Sequence, residues 1–470
     1  MQVVISSDIK IYDATPAIYE YCQNNLIMRN PLYTQLIVMG KEDTIRRKHV
    51  PEFIHLWADV RGCVILPFGC LRSIWPLISK ASQQIKFNDS GDMSIKDQKM
   101  NIEGLYDYQE EAVERMVKAR GGVLVSPAGS GKTYMGIEIA KRIGKKTLWL
   151  CHTGDLLRQA KDDILTLYPT AKVGCTTEGN LEIGEDFTVS TIQTLVNIDP
   201  NLYSDKFDVV ICDESAHVVS DPIERKMFGK ILENIPARYK YGLTATPKRA
   251  DNMIKAMYIY IGANEKGLFD ATFKVDRKRV KTIEAIHEKV ELVSSYSELE
   301  IFMKAYDTSG MVVYNKLIEM LTKDEKRTDK ILDNVAAMAK EGRKQIVLCS
   351  RVEHCKSIVE KLQRRGLSAR LCVGKVSAKK REEILKQKVD WDIIVATYSL
   401  LKEGVSIKDL DTLHLVTPIK DKAMIVQCAG RIERYKDNKM QPMIFDYVDM
   451  DIPYCVKAYD ARRKALKRRF

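Results

Sequence analysis

From about residue 120 onward, short β-branched runs alternate with longer segments of helical period, and they do so in two series. The first comprises "GGVLVS", "KTLWLC", "FTVST", "FDVVICD" and "KYGLTAT", ending near residue 246. The second comprises "KQIVLCS", "ARLCVG", "WDIIVAT", "TLHLVTP" and "PMIFDYV", ending near residue 448. A run that is apolar on both sides must be covered on both sides. Buried strands separated by helices therefore predict parallel sheets built from βαβ units, and two series predict two such sheets. The 470 residues exceed what one hydrophobic core holds, which agrees with several domains.

Residues 1–100 follow neither series. They read as a small accessory α+β domain with a polar stretch, "KFNDSGDMSIKDQK", at its end. The expected division is 1–100, then 101–262 for the first sheet domain, 263–285 as linker, 286–455 for the second sheet domain, and 456–470 as a basic tail. The formal net charge of +12 and pI near 9.0 suit a polyanionic partner, nucleic acid first. The 11 cysteines contain no C-x-x-C pair, which argues against a zinc or iron–sulfur site and for buried thiols in a reducing compartment. The start "MQVVISSDIKIYD" lacks the basic-then-apolar order of a signal peptide, and no apolar run reaches the ~18 residues of a membrane span. A cytoplasmic, membrane-free and monomeric protein is the expectation.

Residues Ser126 to Thr133 read "SPAGSGKT", between an apolar run and a segment of helical period. A strand, a small-residue turn and a helix opening on Lys-Thr is the arrangement that holds phosphate. Pro127, Ala128, Gly129, Ser130 and Gly131 form the turn, whose glycines let main-chain N–H groups point inward. The helix N-terminus adds partial positive charge. Lys132 is placed to reach the β- and γ-phosphates and Thr133 to ligate Mg²⁺. Ser126 stands where the strict phosphate-loop pattern has its first glycine. About 80 residues further on, "FDVVICDESAH" places Asp213 and Glu214 at a strand end. Asp213 would hold the magnesium and Glu214 would polarise the attacking water.

With these two elements in place, residues 102–450 resemble the superfamily-2 helicases through an ordered motif series. "YDYQ" resembles the adenine-reading Q motif, with Gln109 as reader. "LWLCHTGDLLRQ" and "STIQTL" resemble motifs Ia and Ib, although His152 replaces a usual proline. "DESAH" resembles motif II and "GLTATPKRAD" motif III. "IVLCSR", "ATYSLLKEGVSIKDL" and "QCAGRIER" resemble motifs IV, V and VI. The extended third motif and "EGVSIKDL" point to the XPB-like branch, which includes phage-type UvsW and poxvirus-type relatives. The resemblance implies an α/β fold of two tandem RecA-like domains beside the small N-terminal domain. It implies ATP and Mg²⁺, with Gln427, Arg431 and Arg434 supplied to the γ-phosphate and Gly404 near the nucleotide. Thr244, Thr246 and His217 would relay phosphate state. Arginine suits the finger role because its charge is permanent and its planar fork fits phosphate.

Phosphate-gripping loops at strand ends give the candidate nucleic-acid set: Thr153, Arg158, Thr191, Gln193, Ser350, Arg351, Thr397 and Lys402. Each hydroxyl could equally be a helix N-cap. The end "ARRKALKRRF" carries six basic residues in ten, and "TIRRKH" around Arg46 is a second basic segment. Relatives in the branch imply a DNA helicase or translocase moving 3′-to-5′ and remodelling branched DNA. An RNA helicase or transcript-release factor would use the same engine, and a binding scaffold with a degenerate ATPase is a third class.

Overall fold

The β-branched runs form strands in the computed structural model, which describes every residue except 7, 48, 83, 88–103, 128, 178–179, 216–221, 236, 238, 246–253, 262–271, 281, 375, 377–382, 385–389, 399–406, 408 and 468–470. The chain divides into two compact units at Asp276 and Arg277.

The first unit opens with strands β1 (Gln2–Ile5), β2 (Asp8–Tyr12), β3 (Ile27–Arg29), β4 (Phe53–His55), β5 (Ala58–Val60), β6 (Cys63–Pro67) and β7 (Gln84–Phe87). They interleave with helices α1 (Pro16–Asn25), α2 (Pro31–Val38), α3 (Glu42–Arg47) and α4 (Leu71–Ala81). The main sheet runs β5-β6-β2-β1-β7 and is antiparallel apart from the β1–β7 pair. Asn30 caps α2 by accepting from Leu32 N (3.1 Å), and Pro31 occupies the first turn, where its missing N–H costs nothing.

The next sheet, parallel apart from the β10–β11 pair, comprises β8 (Gly122–Val125), β9 (Thr147–Cys151), β10 (Val173–Thr177), β11 (Asn180–Leu181), β12 (Phe187–Thr191), β13 (Val209–Cys212), β14 (Tyr239–Thr244) and β15 (Thr272–Lys274). Its order is β11-β10-β12-β9-β13-β14-β8-β15. The associated helices are α5 (Asp107–Ala119), α6 (Lys132–Ile143), α7 (Gly154–Leu167), α8 (Ile192–Leu195), α9 (Pro222–Asn234) and α10 (Ile254–Ile261). Ala256 and Ile259 of α10 are buried in the same core as Ile9, Ile18, Leu66 and Ile74 of the small domain. The two sheets of this unit are thus joined by shared apolar packing rather than by a free connection.

The second unit holds β16 (Ile286–Leu292), β17 (Gln345–Cys349), β18 (Ala369–Cys372), β19 (Ile393–Thr397), β20 (Thr412–Leu415) and β21 (Met443–Asp449), all parallel in the order β16-β21-β20-β17-β19-β18. Helices α11 (Glu298–Ala305), α12 (Tyr314–Lys323), α13 (Glu325–Lys340), α14 (Val352–Arg364), α15 (Lys422–Ile432) and α16 (Pro453–Lys467) accompany it.

Two expectations are corrected. The interval 263–285, expected as linker, contains β15, which pairs with β8 and extends the first sheet. The expected boundary between 455 and the basic tail falls inside a helix. Residues 453–467 are helix α16, and Arg462, 1% exposed, binds the buried Asp446 through Nε (2.9 Å). A buried carboxylate needs a partner, and Arg462 is drawn inward to supply it. All eleven cysteines are unpaired thiols and ten are buried, because they stand in strands and inner helix faces. Among the described residues no helix is long and apolar enough to cross a membrane.

Candidate nucleotide-binding site

Strand β8 ends at Val125. Ser126 N donates to Thr244 O (2.9 Å), which continues the β8–β14 pairing to the mouth of the loop. Gly129 and Gly131 have φ of 81° and 79°, the left-handed region that glycine enters without strain. A Cβ at 131 would also lie 2.5 Å from Gln109 Nε2, so a larger residue there would displace that amide. Helix α6 starts at Lys132, so its free N–H groups face the loop.

The acidic pair ends β13, two strands away in the same sheet. Glu214 sits at φ 48°, unusual for a side chain of its size, and its N–H donates to Asp213 Oδ1 (2.9 Å). Lys132 Nζ lies 3.8 Å from Glu214 Oε1, with both side chains largely buried. Burial and the adjacent Glu214 carboxylate push Asp213 up to about 7, and Lys132 pulls it the other way. A divalent cation would supply the missing positive charge, which fits magnesium at this spot. No cluster of three or more metal-ligating side chains occurs among the described residues. A cation here would therefore rest on Asp213, the Thr133 hydroxyl and phosphate oxygens of its own ligand.

One supporting pair escaped the sequence reading. Ser215, fully buried, directs its hydroxyl toward Leu243 O (3.3 Å) and Met257 Sδ (3.1 Å). It thereby ties the end of the acidic motif to β14. A glycine in the middle of the β14 run, Gly242, was the available signal, since interior strand glycines mark close approach. Thr244 is fully buried at the end of β14.

On α15, Gln427 and Arg431 stand one turn apart and are partly exposed, and Arg434 follows the helix in a bridge to Thr282. Asp421 caps this helix by accepting from Met424 N (3.1 Å). The candidate nucleic-acid residues cluster on neighbouring strands. Thr153 follows β9 and Thr191 ends β12, which pairs with β9; Ser350 follows β17 and Thr397 ends β19, which pairs with β17. In a parallel sheet these are carboxyl ends, so Thr153 and Thr191 lie along one edge of the first sheet and Ser350 and Thr397 along one edge of the second. Thr153 accepts from Leu156 N (3.3 Å) and Thr191 from Thr194 N (3.2 Å), so both hydroxyls act as N-caps. Arg158 pairs with Asp155, and Arg351 donates to Asn315 Oδ1 (2.9 Å). Ser350 and Thr417 hydroxyls share a bond of 2.8 Å. Gln193 lies within α8. Ala128, His217, Thr246, Lys402 and Gly404 lie outside the described residues.

Residues 102–249 match the family described as the res subunit of type III restriction enzymes, and residues 326–436 match the helicase conserved C-terminal domain. A putative ATP-dependent RNA helicase of Acanthamoeba polyphaga mimivirus is 27% identical over 345 residues, covering 73% of this chain and 63% of that protein. This chain thus matches less than two thirds of that relative's length. The DNA 3′-5′ translocase XPB2 of Sulfurisphaera tokodaii is 25% identical over 376 residues, covering 71% of this chain and 80% of the relative. Among solved structures, Saccharomyces cerevisiae Dbp5 bound to RNA and ADP BeF3 superposes with a TM-score of 0.57 at 14% identity, covering 77% of this chain and 87% of Dbp5. That likeness shows the fold, two RecA-like domains in tandem. The chain belongs to the superfamily-2 helicases of the XPB-like type.

Proposed function

We propose that this protein is an ATP-dependent helicase or translocase that moves on DNA, tracks 3′-to-5′ and remodels branched duplexes. The observation that carries the reading is the meeting of Lys132 with the acidic pair, 3.8 Å from Glu214, beside a glycine loop at a helix start. In this reading Lys132 and the loop N–H groups hold the β- and γ-phosphates, and Gln109 reads the base. A magnesium ion on Thr133 and Asp213 neutralises phosphate charge. Glu214 accepts the proton of the attacking water. Arg431 and Arg434, steered by Gln427, stabilise charge on the transferring phosphoryl group once the two units close. Thr244, Thr246 and His217 pass the phosphate state to the strand ends, and Gly404 lies near the nucleotide. Thr153, Arg158, Thr191, Gln193, Ser350, Arg351, Thr397 and Lys402 grip successive phosphates without reading sequence.

DNA-stimulated ATP turnover tests this. Lys132→Ala and Glu214→Gln should each abolish it, and turnover surviving both changes would defeat the site. An RNA substrate is the second reading, favoured by the mimivirus relative, which is named as an RNA helicase. Stimulation by RNA well above that by single-stranded or duplex DNA would decide for it.

A further inference from the structure

The Gln109 amide is used at both ends. Its Oε1 accepts from Tyr106 N (3.0 Å), closing the cap of α5, while its Nε2 end rests against Gly131. The side chain is 5% exposed, so its depth beside the phosphate loop follows the placement of α5 itself. Apolar contacts of Tyr108, Ala112, Val113 and Met116 bury that helix. Such packing is non-directional and sets the depth of the helix more tightly than the exact height of its first turn. Directional bonds must fix that height.

Near its C-terminal end α5 is held by the Tyr241 hydroxyl, which donates to Met116 O (3.2 Å), and its first turn is held by a second set of bonds. Arg142, on the helix that begins at Lys132, donates through a terminal nitrogen to Glu110 Oε2 (2.7 Å) and through Nε to Glu138 Oε1 (2.8 Å). Glu138 is fully buried and takes a further bond from the Tyr168 hydroxyl (2.5 Å) at the end of α7. Lys141 Nζ lies over the Tyr168 ring, 3.3 Å from its centroid. One end of this chain is buried at Glu138 and Tyr168, and the other holds Glu110, the residue next to Gln109.

We propose that Glu110 and Arg142 are positioning residues for base recognition: their bridge holds the first turn of α5 and so sets the Gln109 amide at the height of an adenine edge. The inference rests on the reading of the first unit as the ATP site. An amide, with an Nε2 donor beside an Oε1 acceptor, matches the N7 acceptor and N6 donor of adenine, and guanine offers no donor in place of N6. A small shift of this first turn spoils the match while leaving the phosphate loop and the acidic pair in place.

The test uses the full chain with saturating single-stranded DNA and compares ATP with GTP. Glu110→Gln removes the charge at the half-exposed end of the bridge and leaves the Arg142–Glu138 pair intact. Arg142→Lys keeps a cation beside buried Glu138 but cannot span both carboxylates. Both variants should raise KM for ATP about fivefold, hold kcat within about twofold, and shrink the ATP-over-GTP preference by about threefold or more. A KM and a base preference that stay at wild-type values in both variants would overturn the proposal. So would parallel losses of kcat and melting temperature with unchanged base preference, which is the signature of a merely structural bridge. Normal behaviour of Glu110→Gln beside a dead Lys132→Ala would sink this inference alone. Turnover persisting in Lys132→Ala would sink the underlying site and this inference with it.

Discussion

The Ser215 hydroxyl occupies the space that a side chain on Gly242 would need: a Cβ at 242 would fall 2.8 Å from Ser215 Oγ and 2.6 Å from Ile261 Cδ1. Gly242 lies in β14 between β13 and β8, so neither neighbouring strand can yield easily. We predict that Gly242→Ala overpacks this point at a cost of about 1–3 kcal/mol and displaces Ser215, the residue after Glu214. ATP turnover should fall more than the stability loss explains, because the acidic pair moves. Thermal melting and steady-state hydrolysis read the two effects separately. A variant with wild-type melting and turnover would show that the close approach is without consequence.

A directed hydrogen-bond chain crosses the second sheet and makes its stability depend on pH. Gln345 Nε2 donates to Val335 O (3.1 Å), which turns its Oε1 toward His414 Nε2 (2.8 Å). His414 Nε2 therefore carries the proton, and Nδ1 accepts from the Tyr447 hydroxyl (2.9 Å), itself held by Asn334 (3.0 Å). Burial lowers His414 from its ordinary 6.5 to about 3. Between those values the unfolded chain binds one more proton than the folded one. Stability contributed by this group is thus full above pH 6.5 and falls with pH at about 1.4 kcal/mol per unit. His354, lowered to about 3 chiefly by burial and then by Arg327, acts in the same direction. We predict that His414→Gln flattens the acid side of the stability profile by about one proton, leaving the His354 share. Urea unfolding of the second unit's signal at pH 4.5, 5.5 and 6.5 measures it. Equal slopes in the two proteins would refute the assignment.

The strand series, the glycine turn before α6 and the carboxylates after β13 were legible because each has a local cause: β-branched runs, glycines at positive φ, acidic residues at a strand end. Residues whose role is made by distant partners were not. Ser215 gains meaning only from Gly242 and Leu243, and Arg462 reads as one more tail cation until Asp446 is placed beneath it. β15 is three residues long and has too little periodicity to stand out from a charged stretch. Thr153 and Thr191 illustrate a different limit. A hydroxyl at a helix start has the same sequence signature whether it caps the helix or holds phosphate, and the structure shows the cap bond for both.

That ambiguity can be separated at Thr153. Aspartate caps helices as well as threonine does, so Thr153→Asp should preserve α7 and the melting temperature. It also places a negative charge at the carboxyl end of β9. If a nucleic-acid phosphate docks there, affinity for single-stranded DNA should fall about tenfold at low salt, with a smaller effect at high salt. Fluorescence anisotropy of labelled DNA over a salt series reads this. Unchanged affinity would reduce Thr153 to a cap alone.

Glu433 links the entry of the second unit to its arginine pair. Ile283 N donates to Glu433 O (3.0 Å) and Ala285 N to Glu433 Oε1 (3.2 Å), while Thr282 bridges Arg434. Glu433 is 1% exposed and lies between Arg431 and Arg434 in sequence, so the segment Thr282–Ala285 is fastened to the two candidate fingers. An arginine that acts only on transition-state charge affects kcat and leaves KM nearly alone. We therefore predict that Glu433→Ala, which removes the side-chain bond to Ala285 N and leaves the two main-chain links, lowers kcat about threefold or more with KM for ATP within about twofold. Glu433→Gln keeps an acceptor oxygen for Ala285 N and should recover most of the rate. Nucleic-acid-stimulated turnover over a range of ATP concentrations distinguishes the cases. A rise in KM at constant kcat would instead assign Glu433 to ground-state nucleotide binding and detach it from the arginine pair.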